Sequence, residues 1–292
     1  MFKSGADLLK FCHQEKKSIW EASLIQSLEK GQMNQKAFEE KLLSIYQVMK
    51  SAALRGKNEA LSSVSGLLHG NAKALSDYKP KAKLFSKDII DLMSMAISTS
   101  EVNASMGTIV ASPTAGAAGI LPACLVFYQE KYQLDDKKML QGLLTASQVG
   151  AVIMHRANVS GAEGGCQAET GSASAMAAAA LVELMGGSPE QALNAAGFAI
   201  VNILGLVCDP IGGRVEYPCF MRNANGVLNA LGSAEMAMAN LQTFADFDQV
   251  VAAMQEVGES LPASLRETGL GGIAKHCKTC FQGLGGEVKK ED

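Results

Sequence analysis

Between Gln167 and Cys208 the only charged residues are three glutamates, Glu169, Glu183 and Glu190. Residues 168–185 place alanine on every face of a helix and stop at Gly186-Gly187. Ser188-Pro-Glu-Gln191 then reads as a capping box with proline at the first helical position, opening a second apolar helix that runs to Leu206. A helix that is apolar all round must be buried on all sides, in protein or in lipid. Lipid is excluded. A span needs about 20 apolar residues; the uncharged run 191–208 falls short and carries Asn194 and Asn202, and the longer run 102–129 is broken by Pro113, Pro122 and several glycines. The chain therefore reads as one all-α domain, a compact multi-helix unit whose alanine and glycine content lets helix backbones approach closely.

The remaining segments agree. Residues 5–30 show helical spacing up to Gly31, and Asn34 caps a second helix running to about Leu54; this pair reads as a peripheral cap on the more apolar remainder. Further helices are expected over 86–105, 119–132, 135–157, 224–241 and 246–257. Residues 56–84 are weakly patterned, with a loop at 65–71. No segment alternates with period two. The glycine-rich, then charged stretch 276–292 reads as a mobile tail.

A net charge of −3 and a pI near 5.9 argue against nucleic acid or an anionic membrane as partner. Seven cysteines in 292 residues are too few for a disulfide framework, and the first seventeen residues lack the apolar run of a secretory signal. The expectation is a soluble cytoplasmic protein with reduced thiols.

Three of those thiols sit in glycine- and proline-rich turns: Cys166 after Gly164-Gly165, Cys208 before Asp-Pro, and Cys219 after Pro218. Turns of this kind present free amides to metal-bound sulfur. Their spacing matches neither a zinc finger nor a ferredoxin, so a shared metal site and three small buried hydrophobes both remain open. Three thiolates on a four-iron cluster would leave one iron open to act as a Lewis acid. Cys277-x-x-Cys280, beside His276, is the only tight pair: it binds zinc, supplies a further cluster ligand or, on the favoured reading, has no function; Cys12 and Cys124 lie on apolar helical faces and read as core.

Asn-Ala-Ser-Met-Gly (103–107), Ser-Pro-Thr-Ala-Gly-Ala-Ala-Gly (112–119), Gly-Ala-Glu-Gly-Gly-Cys-Gln-Ala-Glu (161–169) and Cys-Asp-Pro-x-Gly-Gly…Pro-Cys…Arg-Asn (208–223), in this order, resemble the iron–sulfur-dependent L-serine dehydratases, and most closely the alpha chain of their two-subunit form. The resemblance covers about residues 60–275. It implies an all-helical catalytic unit, a [4Fe–4S] cluster on Cys166, Cys208 and Cys219, and conversion of L-serine to pyruvate and ammonia. It also implies a hetero-oligomer, because the family's Ser-Ser-Ser-His-Thr segment belongs to a beta chain and is absent here. Two departures stand out: residues 65–71 read Ser-Gly-Leu-Leu-His-Gly-Asn where many relatives have Ser-Gly-Leu-Thr-Gly-Gly-Asp, and the sequence ends Lys-Glu-Asp where some single-chain relatives place a further cysteine ligand.

Within this frame the Ser112–Gly116 loop (Ser112, Thr114, Ala115, Gly116) offers amides at a helix start to the substrate carboxylate, or is an ordinary cap. Arg214 or Arg222 clamps the same carboxylate, or pairs with Glu216 or Asp209. Asn103 and Ser105 bond substrate or cap their helix. Glu163 and Glu169 flank Cys166 and serve the substrate ammonium, Arg156 or the ligands themselves. A base must take the α-proton of serine; of the four histidines His155 is best placed, and a partner chain is the other source. The competing functions are a hydro-lyase for another small hydroxy acid and a non-catalytic helical scaffold.

Overall fold

The computed structural model describes residues 2–31 and 34–277; Cys280 and nearly all of the charged tail lie outside the described residues. Thirteen α-helices make up the described fold, which contains no strand, only isolated bridges pairing Ser62 with His69 and Cys208 with Arg266. In chain order they are α1 (Gly5–Glu15), α2 (Ile19–Gly31), α3 (Gln35–Asn58), α4 (Asn71–Tyr78), α5 (Lys87–Ala104), α6 (Ile120–Tyr132), α7 (Asp136–Arg156), the single turn α8 (Gly161–Gly164), α9 (Ser172–Leu184), α10 (Pro189–Val201), α11 (Cys219–Met238), α12 (Phe247–Ser260) and the short α13 (Gly272–His276).

The alanine-rich α9 is the axis of the fold. Every residue in it except Glu183 is buried, and α6, α7, α10 and α11 pack around it. Its small side chains permit that approach: Ser174 Oγ donates to the Gly226 carbonyl of α11 at 3.1 Å, so the two backbones nearly touch. Large aliphatic residues fill the periphery. Leu8, Ile19, Leu92, Ile120 and Ile153 are all shut off from solvent, each contributing roughly 1.5–3 kcal/mol of apolar burial. Leu8, Ile19, Tyr46, Met49 and Ala53 from the first three helices join the same continuous apolar cluster as α9.

The expected capping box at Ser188 and Gln191 is present, as are the caps at Asn34, Ser86 and Asp135. Elsewhere the boundaries differ for identifiable reasons. The expected helix 5–30 breaks in two at Lys16, which takes a left-handed conformation and closes α1. The second apolar helix stops at Val201, and α11 starts at Cys219 instead of 224. Residues 56–84 contain α4, whose N-terminus has no side chain of its own to cap it because the cap position is Gly70, with φ of +59°. The cap comes from afar: the buried Glu101 of α5 accepts from the amides of Asn71 (2.5 Å) and Ala72 (3.2 Å). Asp248 does the same for α1, accepting from Gly5 (2.8 Å) and Ala6 (3.0 Å). Glu183 lies at the start of α2, within reach of the amides of Ile19 and Trp20. Carboxylates here satisfy helix ends that would otherwise leave donors unpaired in the interior.

Candidate metal centre

Cys166 enters the site from α8 through Gly165, which holds φ of +75°, and leads into a wide π-helical turn over Gln167–Gly171 before α9 begins. Gln167, buried at the start of that turn, uses its whole amide. Nε2 donates to the carbonyls of Gly164 (3.0 Å) and Met254 (2.9 Å), and Oε1 accepts from Gly205 (2.9 Å). Its own backbone amide donates to Leu206 at 2.9 Å. One side chain thus ties the Cys166 turn to α12 and to the segment that leads into Cys208.

Cys208 is clamped from both sides by the 265–267 strip: its amide donates to Leu265 (2.9 Å) and its carbonyl accepts from Glu267 (2.7 Å). Cys219 opens α11 directly after Pro218, the second residue of a cis peptide; Ser112-Pro113 is also cis. Asn223, fully buried one turn into α11, connects Cys219 to the 112–119 loop. Its Nδ2 donates to the carbonyls of Cys219 (2.9 Å) and Gly116 (2.7 Å), and its Oδ1 accepts from the amide of Gly119 (2.9 Å).

All three cysteines are buried and free. The Sγ atoms of Cys166 and Cys208 and a carboxylate oxygen of Glu169 lie within 4.8 Å of one another. Cys219 stands outside that tight group but close enough to feel the charge of Cys166. The Cys208 thiol donates to Cys166, and this bond, supported against burial by the Arg222 guanidinium, brings Cys166 down to about 6. Cys208 is pushed up correspondingly, because it keeps the proton the pair shares. Burial, and then the Cys166 charge, raises Glu169 to about 7. Burial likewise pushes Cys219 up.

The donor set tests whether a metal group belongs here. Arg222 donates from Nη2 to Asp209 at 2.7 Å, while its buried Nη1 has no hydrogen-bonding partner beside the thiols. Buried donors are rarely left unmet. Sulfur donors beside a guanidinium that acts on Cys166 and keeps one buried N–H unmet fit an anionic iron–sulfur group, whose sulfur atoms accept such bonds. Cys166, Cys208 and Cys219 are the residues that would hold it.

The other anticipated residues fall into two groups. Thr114 joins the site, donating to Glu169 Oε1 at 2.8 Å, and Gly116 backs onto the same carboxylate. Ser112 Oγ is buried without a partner, and the amides of Thr114, Ala115, Gly116 and Ala117 donate to no protein acceptor among the described residues. Asn103 is half-buried at the end of α5, and Ser105 directs its hydroxyl to Val102 O at 3.1 Å. Arg214 is exposed, while Glu216 accepts from Ser65 at 2.5 Å. Glu163 is exposed and bonded by Asn158 Nδ2. His155 is exposed in the last turn of α7 and has no hydrogen bond or ion pair among the described residues. The Gln167, Asn223 and Glu169 contacts form the working frame of the site; only the three-residue step from Cys166 to Glu169, a shared helical side, was a signal for any of them.

A sequence profile described as "Serine dehydratase alpha chain" matches residues 14–274. The chain belongs to this family. As a serine dehydratase alpha chain family member, it is 46% identical over 275 residues to the L-serine dehydratase, alpha chain, of Peptoniphilus asaccharolyticus, covering 94% of both chains. It is 42% identical to the probable L-serine dehydratase, alpha chain, of Bacillus subtilis (strain 168), over 94% of this chain and 91% of that one. It is also 37% identical to L-serine dehydratase TdcG of Escherichia coli (strain K12), where the match takes in 94% of this chain but 61% of the longer protein.

Proposed function

We propose that this protein is the alpha chain of an L-serine ammonia-lyase, converting L-serine to pyruvate and ammonia with a [4Fe–4S] cluster held by Cys166, Cys208 and Cys219. The observation that carries the reading is the convergence of Cys166 and Cys208, buried and free, beside the unmatched Nη1 of Arg222. When bound, the cluster supplies a Lewis-acidic iron for the substrate hydroxyl. The reaction removes the α-proton and the β-hydroxyl of serine as water; the resulting enamine tautomerises to an imine, whose hydrolysis yields the two products.

The chain's own residues bind and orient. The unspent amides of Thr114, Ala115 and Gly116, with the unpartnered Ser112 hydroxyl, form an anion-accepting edge for the substrate carboxylate. Asn103 lies just before that loop in the sequence and is available to substrate, whereas Ser105 and Arg214 have weaker claims on it. Arg222 neutralises the thiolates and Asp209 keeps it aimed.

The general base is assigned to a beta chain. His155 and Glu163 are both exposed, and about two-fifths of the single-chain relative lies outside the match, the portion a separate chain would supply. The working enzyme is thus a cytoplasmic hetero-oligomer; among the described residues no helix is long and apolar enough to cross a membrane.

The decisive experiment is pyruvate formation from L-serine by anaerobically purified protein, with and without the beta chain. Activity is expected only with both chains, and lost on exposure to air. Activity that survives chelators, or that needs pyridoxal phosphate, would overturn the cluster reading.

A further inference from the structure

We infer that Glu169 is the chain's own fourth donor to the cluster, occupying through Oε2 the iron that the three cysteines leave open until a substrate hydroxyl displaces it. The inference rests on the cluster reading above and extends it to a residue with no assigned role.

Several carboxylates surround the thiols, and all but one are committed elsewhere or out of reach. Asp209 gives Oδ1 to Arg222 (2.7 Å) and Oδ2 to the amide of Ile273 (2.7 Å). Glu216 is engaged by Ser65, and Glu163 faces outward onto Asn158. Glu267 is felt only as a charge and stands outside the tight group of donor atoms. Glu169 differs. Thr114 holds Oε1 at 2.8 Å, whereas Oε2 makes only a long contact with the Cys166 thiol, at 3.9 Å. A carboxylate oxygen of Glu169 and the sulfurs of Cys166 and Cys208 converge within 4.8 Å of one another. Two sulfurs and a carboxylate oxygen gathered in so small a span form a ligand set for a cation, and the iron of a cluster is the cation this donor set suits.

The backbone is shaped to this carboxylate. A Cβ on Gly161 would lie 2.7 Å from Oε2 and 2.8 Å from Cys208 Sγ; a Cβ on Gly116 would lie 3.2 Å from each carboxylate oxygen. Two main-chain segments from different parts of the sequence therefore wall Glu169 in, beside the sulfurs. Glu169 also sits in the middle of the π-helical turn, a conformation costly enough to persist mainly where function needs it. The Thr114 bond makes ligation one-sided. Oε1 stays anchored, so Oε2 can leave the iron without the side chain leaving the site, and it then remains beside the incoming substrate.

The test compares the full chain with Glu169→Gln and Glu169→Asp after anaerobic loading with 57Fe and sulfide. Iron and sulfide content come first: wild-type protein that loads neither refutes the cluster reading itself, independently of Glu169. For loaded protein, Mössbauer spectra should show one of the four irons altered in Glu169→Gln and in Glu169→Asp, the latter because its carboxylate is withdrawn by one carbon. L-serine should perturb that same iron in the wild type. Bleaching of the absorbance near 400 nm in air should be about tenfold faster in Glu169→Gln, the scale on which ligand-shell losses act. If Glu169→Gln folds, by circular dichroism, but fails to load, Glu169 is required for assembly, which also supports ligation; if it fails to fold, Glu169→Asp decides. Variants loaded to wild-type content with the wild-type spectrum and bleaching rate would overturn the inference.

Discussion

Arg222 and Asp209 form an ion pair of 2.7 Å beside Cys208, and Asp209 turns its second oxygen to the amide of Ile273 at the same distance. The guanidinium whose charge Cys166 feels is thereby fixed in direction by a carboxylate that is itself held by α13. Side-chain exposure is 16% for Arg222 and 7% for Asp209, so water screens the pair little.

Removing one partner of such a pair leaves the other buried and uncompensated, which costs about 3 kcal/mol or more. Asp209→Asn should therefore lower the unfolding free energy by about that amount in urea titrations. It should also lower iron retention, because Arg222 would no longer be aimed. A loss below about 1 kcal/mol would show that the pair is solvated.

The cysteines divide into two sets. Cys166→Ser, Cys208→Ser and Cys219→Ser should each lose iron, sulfide and the absorbance near 400 nm after anaerobic loading. Cys12→Ala and Cys124→Ala remove sulfur atoms that only pack in the core, so both should load normally and unfold with a penalty of about 1 kcal/mol. Normal loading by a Cys219→Ser variant would remove that residue from the ligand set.

Gly161→Ala offers a cleaner perturbation than any ligand change. The new methyl would press on Glu169 Oε2 and Cys208 Sγ while touching little of the main core. We expect loss of loading with a stability change of about 1–3 kcal/mol, the usual range for overpacking. A variant that loads fully would mean that α8 yields easily.

A pH effect distant from the thiols follows from Glu101. Burial raises its carboxyl above the ordinary 4.5, although the Asn71 and Ala72 donors pull it back in part. The folded protein then holds this proton more tightly than the unfolded chain. The resulting stability is complete below 4.5 and disappears as the pH rises through the raised value. Stability measured relative to Glu101→Gln should therefore fall as the pH climbs from about 4 to 7. The fall amounts to about 1.4 kcal/mol for each tenfold by which burial weakens the acid. A rising difference over that range would reverse the sign assigned to the group.

The helices that the sequence revealed were those with local punctuation: Asn34, Ser86, Asp135 and Ser188 each cap the helix that follows them. Helix α4 was illegible because its cap, Glu101, lies thirty residues further along the chain. The break at Lys16 was illegible too, since a lysine carries no mark of a left-handed turn. The site divides the same way. Cys166, Cys208 and Cys219 stood out by their glycine and proline neighbours. The choice between Glu163 and Glu169 depended on a π turn that rotates one inward and leaves the other on the surface, and no composition or spacing specifies that turn. Asn223 stood beside a marked arginine, yet its three bonds span loops that only the folded chain brings together.

Helix α9, with neighbours at alanine distance on nearly every side, also sets how this protein can vary. At Ala173, Ala175 and Ala177–Ala180 a larger residue meets packed backbone or side chain whichever way it points, and glycine loosens the rod itself. There is almost no neutral direction of change along it. Drift, adaptation and engineering must work instead through the rim of loops around Thr114, Cys166 and Cys208. There a substitution alters what the enzyme holds without disturbing the column on which it stands.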